Sequence, residues 1–145
     1  MKELDIFMEK LGVERVESQM IEVIDELNNL PQVEMPLTHH FADGQYVREL
    51  FMPKGSFIIG HRHRFSTVNF LLKGKISVYQ GEDGEILHLE APVIWTSQAG
   101  VRKMLYIHED AVGANAHPSS ETDLGKLRDI FTIPDTKEIE QCGQQ

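Results

Sequence analysis

From about residue 37 to residue 118 of this 145-residue chain, apolar and polar residues alternate with a period of two and no helical stretch intervenes. That pattern restricts the fold more than any other feature. Eight segments read as strands: 45–52, 56–59, 67–72, 75–79, 85–89, 93–96, 103–107 and 111–116. They are short and rich in β-branched and aromatic residues. Turn signals such as Pro53-Lys54-Gly55, Lys73-Gly74-Lys75 and Gly81-Glu82-Asp83-Gly84 bound them. A parallel sheet needs crossovers of roughly a dozen residues or more, usually helical. Their absence predicts a mainly β fold, a sandwich or jelly-roll barrel.

The flanks follow another period. Leu4, Phe7, Leu11, Val13, Val16, Met20, Val23, Ile24, Leu27 and Leu30 recur at three- and four-residue steps, which predicts helix up to Pro31. After the β zone, Ser119 to Asp123 is a helix-start cluster, and Leu124, Leu127, Ile130 and Phe131 share one face before Pro134. The length suits one domain of about 150 residues. It divides into an N-terminal helical extension (1–34), a β-barrel (35–118) and a C-terminal helix and tail (119–145). The wide apolar faces of the terminal helices are expected to pack on the barrel or on a partner subunit.

Charge narrows the function classes. Fourteen Lys and Arg against 23 Asp and Glu leave a net charge of −9, which argues against a nucleic-acid binder dependent on phosphate neutralisation. No apolar run approaches the ~18 residues of a membrane helix. Acids in Met1-Lys2-Glu3-Leu4-Asp5 stand where a signal peptide needs bases, so a cytoplasmic protein is expected. The single cysteine, Cys142, permits neither an internal disulfide framework nor a cysteine-built zinc site.

Seven histidines remain to be explained, four of them in His39-His40 and His61-Arg62-His63. Residues i and i+2 of a strand project from one face, so His61 and His63 are placed to share a ligand. Two imidazoles in that arrangement suit a divalent transition metal that takes further histidine, carboxylate or water ligands. An isolated pair of this kind is equally compatible with surface histidines, which is how His39 and His40 read. Trp95 reads as core.

The spacing Gly55-(x)5-His61-x-His63, with Gly74 following, resembles the first motif of the cupin family, G(x)5HxH(x)3–4E(x)6G. The resemblance spans the β zone. It implies a double-stranded β-helix, often a homodimer, with paired histidines at the barrel mouth binding iron, manganese, nickel, copper or zinc. On that pattern His61 and His63 match two metal ligands. The family's glutamate falls on Thr67, and the histidine of its second motif falls on Lys103, so two customary ligands are replaced. A neutral hydroxyl is a poor ligand for these ions and an ammonium repels them. Segments 30–41, 44–49 and 117–124 also resemble small cupin-like proteins of bacteriophages and bacteria. That group implies no particular reaction.

A third metal ligand would have to come from the end of the β zone. Read as a hairpin turning at Glu109-Asp110, this segment has two possible parities. One turns Arg102, Tyr106, Asn115 and His117 inward; the other turns Lys103, Leu105 and Ile107 inward. Either brings a basic residue, Arg102 or Lys103, to the barrel interior. A cation beside histidines in an otherwise apolar barrel favours an anionic guest. Thr67, Asn69, Arg48 and Tyr106 complete the candidate ligand contacts, and His61, His63 and His117 the candidate metal ligands. Three functions are compatible with these residues. The favoured one is a protein that binds a small anionic molecule, with metal optional. The others are a metal-dependent oxygenase or isomerase and a structural or interaction module.

Overall fold

A computed structural model describes residues 34–80 and 85–134. The helical reading of residues 4–30, the turn at 81–84 and Cys142 lie outside the described residues. Nine strands and one helix occur among those described. They are β1 (Leu37–Ala42), β2 (Gln45–Met52), β3 (Phe57–Ile59), β4 (Arg62–His63), β5 (Thr67–Gln80), β6 (Glu85–Glu90), β7 (Val93–Ser97), β8 (Lys103–His117), α1 (Leu124–Phe131) and β9 (Thr132–Ile133). Pairing is antiparallel throughout. The main sheet runs β1-β2-β8-β5-β6, with β3 also paired to β8 and β7 to β5, while β4 and β9 form a separate pair. No described helix is long and apolar enough to cross a membrane.

Two expected turns are absent, and both absences shape the site. Residues 67–72 and 75–79 are not separate strands; they form the single strand β5, bent where the register with β8 shifts between Leu71 and Ile76. Gly74 sits at the bend with φ +94°, and a Cβ there would lie 2.5 Å from the Asp110 carbonyl oxygen and 2.7 Å from the Ala111 Cα. Only glycine allows the two backbones to approach so closely in that conformation. The irregularity reverses the inward parity of β5. Thr67, Asn69 and Leu71 are buried before it, whereas Ile76 and Val78 carry the core after it.

Glu109-Asp110 does not turn the chain either. β8 runs unbroken from Lys103 to His117, paired to β5 along almost its whole length. The Asp110 carboxylate instead accepts a hydrogen bond from the Lys54 backbone N–H at 2.8 Å, capping the neighbouring Pro53–Gly55 turn. An unbroken strand keeps one parity. Lys103, Leu105, Ile107, Ala111, Gly113, Asn115 and His117 are an even number of residues apart and share a face. A hairpin turning at Glu109-Asp110 would divide this set between two faces.

The core consists of Met52, Leu71, Ile76, Val78, Ile107 and Ala111, with Leu50, Ile58, Leu87, Leu89, Val93, Trp95 and Leu105 packed against it. Each fully buried aliphatic side chain of this kind contributes about 1.5–3 kcal/mol. A smaller cluster of Tyr46, Leu127 and Phe131 fastens α1 to the sheet. The helix begins where expected: Asp123 is its N-cap and accepts from the Lys126 N–H. It ends in β9, which pairs with β4 in the register His63↔Thr132. The C-terminal helix is thus tied to the strand that carries His63.

Candidate functional site

Cross-strand partners in an antiparallel sheet present their side chains on the same face. Arg48 on β2 is paired with Asn115 on β8, and Asn115 with Asn69 on β5, so these three form one line across adjacent strands. One step along β2 and β8, Tyr46 is paired with His117. Lys103 approaches the same place from the other end of β8. Its ammonium donates to the Asn69 Oδ1 at 2.9 Å.

Asn69 is held in one orientation by its own partners. Its Nδ2 donates to the Thr67 carbonyl at 3.2 Å, the Ser97 hydroxyl at 3.2 Å and the Trp95 carbonyl at 3.4 Å. Three acceptors around the nitrogen assign the amide and turn its oxygen toward Lys103. The Asn115 Nδ2 reaches the same oxygen at 3.4 Å.

His63 enters from β4. Its carbonyl accepts from the Gly100 N–H at 2.8 Å, and its ring meets the His117 ring edge-on with centroids 5.5 Å apart. His117 is enclosed by Phe131, at 4.6 Å between ring centroids, and by Tyr46, at 5.8 Å. The Tyr46 hydroxyl is hydrogen bonded to the His39 ring nitrogen at 2.8 Å. Phe41 stacks on the same tyrosine. An aromatic wall therefore backs the histidines.

The electrostatics follow from burying basic groups together. Burial, then Lys103, His117, Arg48 and His61, hold His63 down to a pKa of about 4. His117 is also lowered to about 4, by burial and by the charges of Arg48 and Lys103. Burial lowers Lys103 from 10.5 to about 8 and pushes Arg48 downward too, against a small opposing effect from Tyr46. Tyr46 is raised by burial, with Arg48 acting the other way. Near neutral pH both imidazoles are uncharged, while Arg48 and most of Lys103 remain cationic. No carboxylate is paired with Arg48 or Lys103 among the described residues.

Of the residues singled out from sequence, His63, His117, Lys103, Asn69, Thr67 and Arg48 come together here. His61 is exposed, yet close enough for its charge to act on His63. Arg102 is buried and donates to the Gly60 carbonyl at 2.9 Å. Tyr106 belongs elsewhere: it is paired with Ser77, and its ring packs on Phe57 and His108. That neighbourhood holds a second histidine cluster, in which the buried Ser77 hydroxyl bonds both His88, at 2.8 Å, and His108, at 2.7 Å. Its only sequence signal is a serine inside the apolar run Ile76-Ser77-Val78-Tyr79. Tyr46 also escaped the motif reading, although it stands two residues before Arg48 on the same strand face.

The donor set does not fit a transition metal. His63 and His117 supply two imidazoles, but a lysine ammonium and a threonine hydroxyl stand where the cupin motifs carry the remaining ligands. Among the described residues no group of three or more His, Cys, Asp or Glu side chains could hold a metal ion.

No protein-family model matches the sequence, and no curated protein resembles it closely enough to count as a relative. Solved structures do resemble it. A conserved protein with a double-stranded β-helix domain from Klebsiella pneumoniae superposes with a TM-score of 0.52 at 17% identity, covering 69% of this chain and 90% of that one. A protein from Neisseria meningitidis gives 0.50 at 12% identity over 67% and 96% of the two chains. A cupin superfamily protein from Desulfitobacterium hafniense gives 0.50 at 8% identity over 62% and 82%. At such identities the likeness concerns the fold alone. The chain has the double-stranded β-helix fold of cupin proteins.

Proposed function

We propose that this cupin-fold chain binds a small anionic molecule on the face formed by Arg48, Lys103, Asn69, Asn115, His63 and His117. One observation carries the proposal: the half-buried Arg48 and the buried Lys103 both act on His63 and His117, and no carboxylate among the described residues neutralises them. Burying an unpaired ammonium is costly unless a counter-charge arrives. A carboxylate or phosphate supplies it, accepting charge-assisted hydrogen bonds from the Arg48 guanidinium and the Lys103 ammonium. Asn115 adds a neutral amide donor. The uncharged rings of His63 and His117 contribute hydrogen bonds without further charge, and Tyr46 and Phe131 give an apolar wall for the remainder of the guest. Metal-dependent oxygenase or isomerase chemistry has less support, because the replacements at Thr67 and Lys103 remove two donors. We further propose that the protein acts in the cytoplasm as a homodimer, in keeping with its net negative charge and with the pairing habit of cupins.

Native mass spectrometry of protein purified without an affinity tag tests this directly. The expected result is a co-purifying acidic small molecule that is lost from the Arg48→Met, Lys103→Met double variant. Near-stoichiometric metal, lost from His63→Ala and unaffected by that double variant, would contradict it.

A further inference from the structure

We propose that Lys103 also acts covalently: its Nζ condenses with the carbonyl carbon of a small oxo acid whose carboxylate rests on Arg48, and forms an imine. This step presupposes the anion site proposed above and names the class of anion, a carboxylate that bears an aldehyde or ketone.

The geometry sets Lys103 apart from Lys54, Lys73 and Lys126. Its side chain is buried, no carboxylate is paired with it among the described residues, and its hydrogen bond runs to a neutral amide oxygen. A carboxylate partner would hold the nitrogen as ammonium. A neutral amide on a buried face does not, so a minor but reactive fraction of the nitrogen is uncharged near neutral pH. Burial lowers its pKa to about 8, in agreement with this arrangement. Lys54, Lys73 and Lys126 are exposed and lack such an environment.

The neighbours match the other needs of the reaction. Arg48 lies in line with Asn115 and Asn69, the residue that holds the Lys103 nitrogen, so the carboxylate anchor and the nucleophile flank one place on the face. β2 and β5 lie on either side of β8, two strand spacings or about 10 Å apart, a span that a small oxo acid and two long side chains bridge. The neutral imidazoles of His63 and His117 stand beside Lys103 and can carry protons. The uncharged Nζ attacks the carbonyl carbon, the C–N bond forms, and the carbonyl electron pair moves to oxygen. An imidazole carries one proton from nitrogen to that oxygen, giving a carbinolamine. The nitrogen lone pair then expels the hydroxyl, which takes the second nitrogen proton and leaves as water. Amine and carbonyl become imine and water, with no oxidant or reductant consumed.

Reductive trapping tests the step. The full chain is incubated with pyruvate or with succinic semialdehyde in the presence of cyanoborohydride, and modified lysines are mapped by peptide mass spectrometry. Propionate, which has no reactive carbonyl, is titrated separately by calorimetry. The expected result is a reduced adduct on Lys103 exceeding those on Lys54, Lys73 and Lys126 by roughly tenfold or more, as its larger uncharged fraction requires. Propionate should compete with adduct formation, and Lys103→Arg, which keeps the cation, should bind propionate without forming the adduct. No adduct on Lys103, or equal labelling of all lysines, overturns the covalent step. If propionate still binds in that case, the anion site survives alone; if it does not bind, both fail.

Discussion

Replacing Lys103 by methionine should stabilise the protein at neutral pH, and the size of the gain follows from the site. Lys103 is 8% exposed, and burial lowers its pKa from 10.5 to about 8. The folded state therefore gives up the lysine proton at lower pH than the unfolded chain does. Below pH 8 both states carry it, and the folded state bears the whole cost of the buried charge. At ~1.4 kcal/mol per pH unit that cost is about 3 kcal/mol. Methionine keeps a similar unbranched stem and removes the charge. It forfeits the hydrogen bond to Asn69, worth ~1 kcal/mol, although Asn115 still reaches that oxygen at 3.4 Å. The net expectation is a gain of about 2 kcal/mol at pH 7. The gain should shrink as pH rises from about 8 toward 10.5, where the unfolded chain also loses its proton. Urea denaturation of both proteins at pH 7, 9 and 10 measures the difference, in which other titrating groups cancel. A variant that gains stability while losing anion binding marks a residue retained for function at a cost in stability. A variant less stable than the parent at pH 7 would refute the reasoning, since the ammonium would then be satisfied within the protein.

Acid should weaken the fold through the two histidines. His63 and His117 remain neutral in the folded state down to about pH 4, whereas the unfolded chain protonates near 6.5. The unfolded state binds more protons in that window, so stability present above pH 6.5 is lost as pH falls toward 4. Urea midpoints between pH 7 and 4 should fall less steeply in His117→Gln. Gly74→Ala should cost about 3 kcal/mol or more, combining strain at positive φ with a backbone clash. Gly44→Ala, where φ is +75° and nothing lies within 4 Å of the new Cβ, should cost only the strain, about 1 kcal/mol, in the same chemical melts. Asp123→Ala removes the N-cap of α1 and should cost about 1 kcal/mol, with faster amide exchange in α1 and at Arg64, whose N–H bonds to the Phe131 carbonyl.

Much of the fold was legible because period-two alternation reports directly on half-buried strands. The histidine and glycine spacing added the fold family. The two missing turns show where local chemistry misleads. Gly74 has the appearance of a turn residue because it interrupts the alternation, but it does so as a bulge that reverses the parity of β5. Asp110 has turn chemistry as well, and spends it on the backbone of Lys54, far away in sequence. These distant uses of a local signal are invisible without the register. The site was legible in part for the same reason. Lys103 could be placed near the metal position by motif spacing, and Asn69 and Arg48 by alternation. The union of Lys103 with His117 on one face required β8 to be continuous. Tyr46 and the Ser77–His88–His108 cluster depend on cross-strand pairing and have no motif to announce them.

Anion binding by Arg48 and Lys103 is the function proposed for this face. Saturation-transfer NMR against a panel of small carboxylates and phosphate esters tests it most directly, comparing the parent protein with the Arg48→Met, Lys103→Met double variant. Saturable transfer to one or more anions in the parent, abolished in the variant and insensitive to chelators, is the predicted result. No transfer to any anion, or transfer that the double variant retains, would contradict it.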